Sequence, residues 1–199
     1  MEALAPYHFA LRLVGAGSSH TFGPGDKGVD LKGEWCVSNL CRGKAPEIPR
    51  LLVIGQCKFE HSRSASKYLR ELEGVISSLP SAVSDGEAIP LGLFVAHRGY
   101  TADALSFFMQ MRNPAVLVSV KSNVLDDFGR TPPRLTHGDA NTTPTHVLTD
   151  FRLNPVAHNL VPGLIVGRHY SHDRTAIELS FDPVRHWEWR QSVEQKNGK

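Results

Sequence analysis

Three short runs of apolar, β-prone residues, at 51–55, 91–96 and 115–120, are separated by two stretches with helical periodicity. Across 64–79, Ala65, Leu69, Leu72, Val75, Ile76 and Leu79 recur at spacings of three and four, and Thr101 stands where it would cap an amphipathic helix over 101–112. Strands written as unbroken apolar runs are buried on both faces. Strand–helix–strand alternation joins such strands in parallel through right-handed crossovers. The expected fold class is therefore α/β, with a mixed central sheet flanked by helices.

The run at 51–55 turns abruptly polar at Gln56-Cys57-Lys58. Side chains alternate along a strand, so Gln56 and Lys58 share one face while Cys57 points the other way, toward the core. A second strand-like segment, 28–33, carries Asp30 behind a Gly-Pro-Gly turn at 23–25 and is expected to pair antiparallel with 51–59. A carboxylate from one strand would then meet an amide oxygen and an ammonium from its neighbour. Hard divalent cations take such oxygens, and the phosphate a cation polarises suits the lysine. Each residue also has a plainer use. An aspartate beside a turn accepts backbone amides, a strand glutamine can be a satisfied amide, and a strand-end lysine can snorkel.

Asp30…Gln56-x-Lys58 resembles the D…(E/Q)xK signature of restriction-endonuclease-like nucleases, in the branch typified by the bacterial Mrr endonucleases. The likeness spans roughly residues 2–120. It takes in a leading helix, the turn Gly25-Asp26-Lys27-Gly28-Val29-Asp30, Gln56-Cys57-Lys58, the helix with Arg70-Glu71-Leu72-Glu73-Gly74 and a strand–helix–strand ending. Within that branch the chain looks closest to fungal mitochondrial proteins required for respiratory growth. The resemblance implies a restriction-endonuclease-like core over 1–122, with a loop and a C-terminal β-rich extension over 123–199 packed on the same domain. It implies a Mg²⁺- or Mn²⁺-dependent endonuclease hydrolysing DNA in mitochondrial DNA maintenance. Cutting both strands would favour a homodimer. A catalytically inactive DNA-binding or assembly module of the same fold is the alternative, kept open by Gln where many relatives have Glu.

Under that resemblance Asp30, Gln56 and the Cys57 carbonyl would ligate the metal. Lys58 would orient water or stabilise charge on the phosphorane, and Glu2 on the leading helix would join the catalytic set. From 42 to 70 the chain carries seven Lys or Arg against two Glu, although the whole chain has a formal charge of only +2. Arg42, Lys44, Arg63, Lys67 and Arg70 are therefore the expected DNA-binding groups, the last three read as a helical stripe. Arg98, before the Thr101 helix, could hold a further phosphate.

Other chemistries find little support. Three cysteines, of which Cys36 and Cys41 lack a second metal-binding pair, fit reduced thiols better than a disulfide frame or a zinc site. There is no P-loop, no nucleophile elbow and no dinucleotide fingerprint. No apolar run approaches a membrane span. No Arg- and Ser-rich leader precedes the first helical stretch (3–14), so the mitochondrial expectation comes from the resemblance alone, as for a trimmed form of a longer precursor. Beyond 120, the segment 121–145 reads as a long polar loop, 146–153, 164–169 and 175–181 as short strands, and the tail with Trp187 and Trp189 as frayed.

Overall fold

A computed structural model describes residues 16–20, 28–35, 37, 50–79, 88–122, 146–170 and 175–197. The expected helix at 3–14, the loop at 121–145 beyond Ser122, and Glu2, Cys36, Cys41, Arg42 and Lys44 all lie outside them. The first strands are β1 (Ala16–His20), β2 (Leu31–Trp35) and β3 (Leu51–Lys58). Helix α1 (Ser66–Ser77), strand β4 (Ile89–Ala96), helix α2 (Ala102–Gln110) and strand β5 (Ala115–Ser122) follow. The C-terminal part comprises β6 (His146–Leu153), α3 (Pro155–Leu160), β7 (Leu164–Tyr170), β8 (Thr175–Phe181) and α4 (Pro183–Asn197).

The central sheet has six strands in sequence order, β1 to β6. The outer pairs β1–β2, β2–β3 and β5–β6 are antiparallel, while β3, β4 and β5 run parallel. The parallel strands are the three apolar runs of the sequence, and both of their faces are covered, as that pattern requires. On one face Ile54, Phe94 and Leu117 pack under Leu69, Leu72 and Ile76 of α1 and Ala104 and Phe108 of α2. On the other face Leu31, Val53, Val95 and Val118 meet Ala157 and Val161 near α3, Leu164 of β7 and Ile177 of β8. Burying each large side chain contributes about 1.5–3 kcal/mol, which makes these two clusters the main stabilising layers.

Local signals explain the helix starts. Thr101 Oγ1 accepts the Ala104 N–H at 3.1 Å, the cap expected from the sequence. Two helices were not expected. Asn154 caps α3, with Pro155 in its first turn, and Asp182 caps α4 by accepting the Val184 N–H at 2.9 Å. The tail with Trp187 and Trp189 is thus helical rather than frayed, because Asp182-Pro183 supplies both a cap and a preset first residue. Strand β6, assigned by sequence to the C-terminal extension, instead completes the central sheet against β5. The strands expected at 164–169 and 175–181 form a separate two-stranded antiparallel hairpin, β7–β8.

Candidate functional site

The site lies at the carboxyl end of β3, where the segment entering β2 folds over it. Antiparallel register ends with Leu31 opposite Gly55; Asp30 directly precedes Leu31, and Gln56 directly follows Gly55. The Asp30 N–H donates to the Gly55 carbonyl at 2.9 Å, one residue out of the β2–β3 register, and so ties the segment entering β2 to the end of β3. The Cys57 N–H donates to Oδ2 of Asp30 at 2.7 Å. A charge-assisted bond of this length holds the carboxylate at the strand end.

Two glycines permit the approach. At Gly55 a Cβ would lie 2.8 Å from Cβ of Leu31, so a side chain there would push β2 away from β3. Gly28 has φ +77°, and a Cβ there would stand 3.0 Å from Nε2 of Gln56. The turn before Asp30 therefore lies directly against the Gln56 amide, in a conformation that favours glycine. Gln56 is only 3% exposed, and its Oε1 has no hydrogen-bond partner among the described residues. An orphaned buried amide oxygen costs about 1–3 kcal/mol, a cost that an incoming ligand would remove.

Lys58 shares the Gln56 face, as alternation requires, and is half-buried against α1, its Nζ 5.2 Å from the centre of the Tyr68 ring. Cys57 points to the opposite face and packs against the apolar cluster there. Burial pushes its thiol well above the ordinary range; the Asp30 charge adds to the shift and the Lys58 charge opposes it. Both charged groups therefore act at the same strand end. Asp30 serves in part as an acceptor of a main-chain amide, the plainer role open to it from sequence, but the amide comes from the neighbouring strand rather than from its own turn.

The donors suit a hard cation better than zinc. One carboxylate and one unpartnered amide oxygen are oxygen ligands, and Mg²⁺ commonly binds through one or two protein carboxylates with water and phosphate completing its shell. Among the described residues no group of three or more His, Cys, Asp or Glu side chains converges as a metal centre. Asp30 and Gln56 could hold such an ion, and Glu34 could not contribute, since it pairs with Arg50 opposite Leu52, further back along β2 and β3.

The basic residues divide by position. Arg63 is exposed but precedes α1, which begins at Ser66, so it is not on a helical stripe with Lys67 and Arg70 as expected. Lys67 Nζ lies 4.5 Å over the Tyr68 ring, whereas Arg70 lies 5.1 Å over the Phe107 ring, toward α2. The contact with Tyr68, and beyond it Glu60 and Glu71, raises the Lys67 pKa. Arg98 is exposed just past β4, between buried His97 and Gly99.

Sequence reasoning missed Tyr68 and Glu60. The Tyr68 hydroxyl donates to Glu60 Oε1, and its ring stacks on Phe94, with centroids 6.3 Å apart. Glu60 continues the Gln56–Lys58 alternation by two residues, a signal that was legible. Tyr68 becomes visible only once α1 is laid on the sheet.

A family model described as Required for respiratory growth protein 7 matches residues 40–143, more than half of the 199-residue chain. The chain belongs to the Required for respiratory growth protein 7 family. The resemblance to respiratory-growth proteins drawn from the sequence holds at this level. Within the family match lie β3 with Gln56 and Lys58, all of α1 with Tyr68, and the strands β4 and β5; Asp30 precedes it. No curated protein and no solved structure matches the chain. No helix among the described residues is long and apolar enough to cross a membrane.

Proposed function

We propose that this member of the respiratory-growth family is a metal-dependent endonuclease acting on DNA. The observation that carries the reading lies at the end of β3: the Asp30 carboxylate is anchored by the Cys57 amide, and the preceding residue, Gln56, holds a buried amide oxygen with no partner among the described residues. Asp30 and Gln56, with the Cys57 carbonyl, are the groups that would hold Mg²⁺ or Mn²⁺. Such an ion, when bound, supplies charge relief to a phosphodiester and lowers the pKa of water.

The chain's own residues do the rest. Lys58 has no ion pair among the described residues, so its full charge is available to orient the attacking water or to meet charge developing on the phosphorus oxygens. The Tyr68 ring holds that ammonium by cation–π attraction rather than by neutralising it. Arg63, Lys67 and Arg98, exposed after the carboxyl ends of β3 and β4, and Arg70, a turn further along α1, would bind backbone phosphates with little preference for base sequence. The family's link to respiratory growth supports a mitochondrial setting, with organelle DNA as the proposed substrate. Cutting both strands of a duplex would call for two such sites, and so for a homodimer.

A second reading rests on a specific observation. Among the described residues Asp30 is the carboxylate bonded to the main chain of the Gln56–Lys58 strand, Glu60 is tied to Tyr68 instead, and no group of three or more His, Cys, Asp or Glu forms around them. A DNA-binding or assembly module that lacks cleavage would need no more. Incubating the purified protein with plasmid, linear and branched DNA in Mg²⁺ or Mn²⁺ separates the two. The nuclease reading expects cutting that EDTA and Asp30→Asn both abolish. Binding without cutting on every DNA form would transfer the conclusion to the second reading.

A further inference from the structure

Tyr68 stands at the centre of the groups beside Lys58. Its ring lies on Phe94, a fully buried residue of β4, with 21° between the planes. Its hydroxyl is tied to Glu60. Stacking fixes the plane of the ring and the hydroxyl bond fixes its edge. Onto this fixed ring converge two ammonium groups, Lys58 at 5.2 Å and Lys67 at 4.5 Å from its centre.

Neither lysine has an ion pair among the described residues, and the nearby Glu60 carboxylate already accepts from Tyr68. The aromatic face attracts each cation without cancelling its charge. Glu60 and Glu71 act on Lys67 without an ion pair, so two ammonium groups gathered on one ring still attract a polyanion where a neutral ligand would gain nothing. Lys58 also belongs to the strand end that carries Gln56, so an anion held by the pair is held beside the candidate metal ligands.

We propose that Tyr68 is a positioning residue whose ring sets Lys58 and Lys67 together as a cationic clamp for the phosphates of one DNA strand. This rests on the DNA-binding part of the proposed function and is independent of cleavage. Lys67 is then not one member of a diffuse basic stripe but the partner of Lys58, while Arg70, resting on Phe107, belongs to a different part of the surface.

The test is DNA affinity measured in EDTA across a salt series. The proteins are wild type, Lys58→Ala, Lys67→Ala, the double lysine variant, Tyr68→Phe, Tyr68→Leu, and Tyr68→Leu in the double lysine background. Each single lysine variant should lower the slope of log affinity against log salt by about one unit, and the double variant by about two. Tyr68→Phe keeps the ring and should bind within about threefold of wild type, whereas Tyr68→Leu should lose about tenfold. That loss should vanish once both lysines are absent, as coupled positions require. An unchanged slope in the double lysine variant overturns the clamp, as does a Tyr68→Leu loss that persists without the lysines. The lysine variants alter side chains outside the core, so their slopes decide the matter even where Tyr68→Leu does not fold. Because EDTA removes any metal-dependent cleavage, failure to cut DNA elsewhere counts against the nuclease reading alone. A wild-type protein that binds no DNA overturns both.

Discussion

The main-chain N–H of Cys57 donates to the Asp30 carboxylate at 2.7 Å, so the strand that carries Lys58 also anchors the acid that would act with it. The bond separates two kinds of substitution at position 30. Asparagine keeps an oxygen for the Cys57 amide and loses only the charge; alanine leaves the amide without its acceptor.

Asp30→Asn should therefore abolish cleavage, hold DNA as tightly or more tightly, and lower stability by no more than about 1.5 kcal/mol. Asp30→Ala should also abolish cleavage but cost about 1–3 kcal/mol. Urea unfolding of both variants, beside a cleavage assay, checks the pair. Equal stability loss in the two would show that the Cys57 bond contributes little.

Gly28 has φ +77° and lies where a Cβ would come within 3.0 Å of Gln56 Nε2. Gly28→Ala should cost about 1–3 kcal/mol through backbone strain, and should displace the Gln56 amide. Thermal melts give the first quantity. Metal-dependent cleavage should fall by more than the loss of folded protein explains, if Gln56 is a ligand.

Asn154 is fully buried, and its side chain joins three elements. Oδ1 accepts from the Ala115 N–H at 3.0 Å and the Ala157 N–H at 2.9 Å, while Nδ2 donates to the Asn113 carbonyl at 2.8 Å. Asn154→Ala strips acceptors and a donor from a buried network, and should destabilise by about 2–4 kcal/mol. Denaturant midpoints should show the loss, and hydrogen exchange should show it concentrated at the start of β5 and in α3. A loss under about 1 kcal/mol would mean that water replaces the amide.

The Cys57 thiol is held protonated by burial first and by the Asp30 charge second. With its folded pKa raised, the folded chain retains a proton that the unfolded chain gives up above the ordinary thiol range near about 8.5. Stability from this group is complete below that range and declines as pH rises toward the folded pKa, by up to about 1.4 kcal/mol per pH unit. Unfolding measured from pH 7 to 10 should show a steeper loss for wild type than for Cys57→Val. Tyr100, whose buried hydroxyl is also pushed well above its ordinary range, adds a second loss beginning above about pH 10. Parallel pH profiles for wild type and Cys57→Val would dismiss the thiol's part.

Much of the core was legible because its pattern leaves few choices. The runs that became β3, β4 and β5 are too short for helices and too apolar for an exposed face, and the helical spacing between them requires parallel pairing. The C-terminal part was less legible. Asn154-Pro155 and Asp182-Pro183 read equally as turns or as helix caps, and the choice depends on what lies beyond. Strand β6 could be recognised as a strand from its own residues. That it pairs with β5 rather than with the β7–β8 hairpin depends on the sheet edge it meets.

The sequence by itself determined the α/β class, the order of the central strands and helices, and the pairing of Asp30 with the end of the Gln56–Lys58 strand, because side-chain alternation and apolar periodicity are local properties of the chain. Tertiary structure alone decided that Gly28 stands against Gln56, that the Cys57 amide holds Asp30, and that Tyr68 collects Lys58 and Lys67. Those contacts join residues from separate elements, and their distances follow from how α1 and the turn before β2 settle on the sheet. No spacing along the chain encodes that packing.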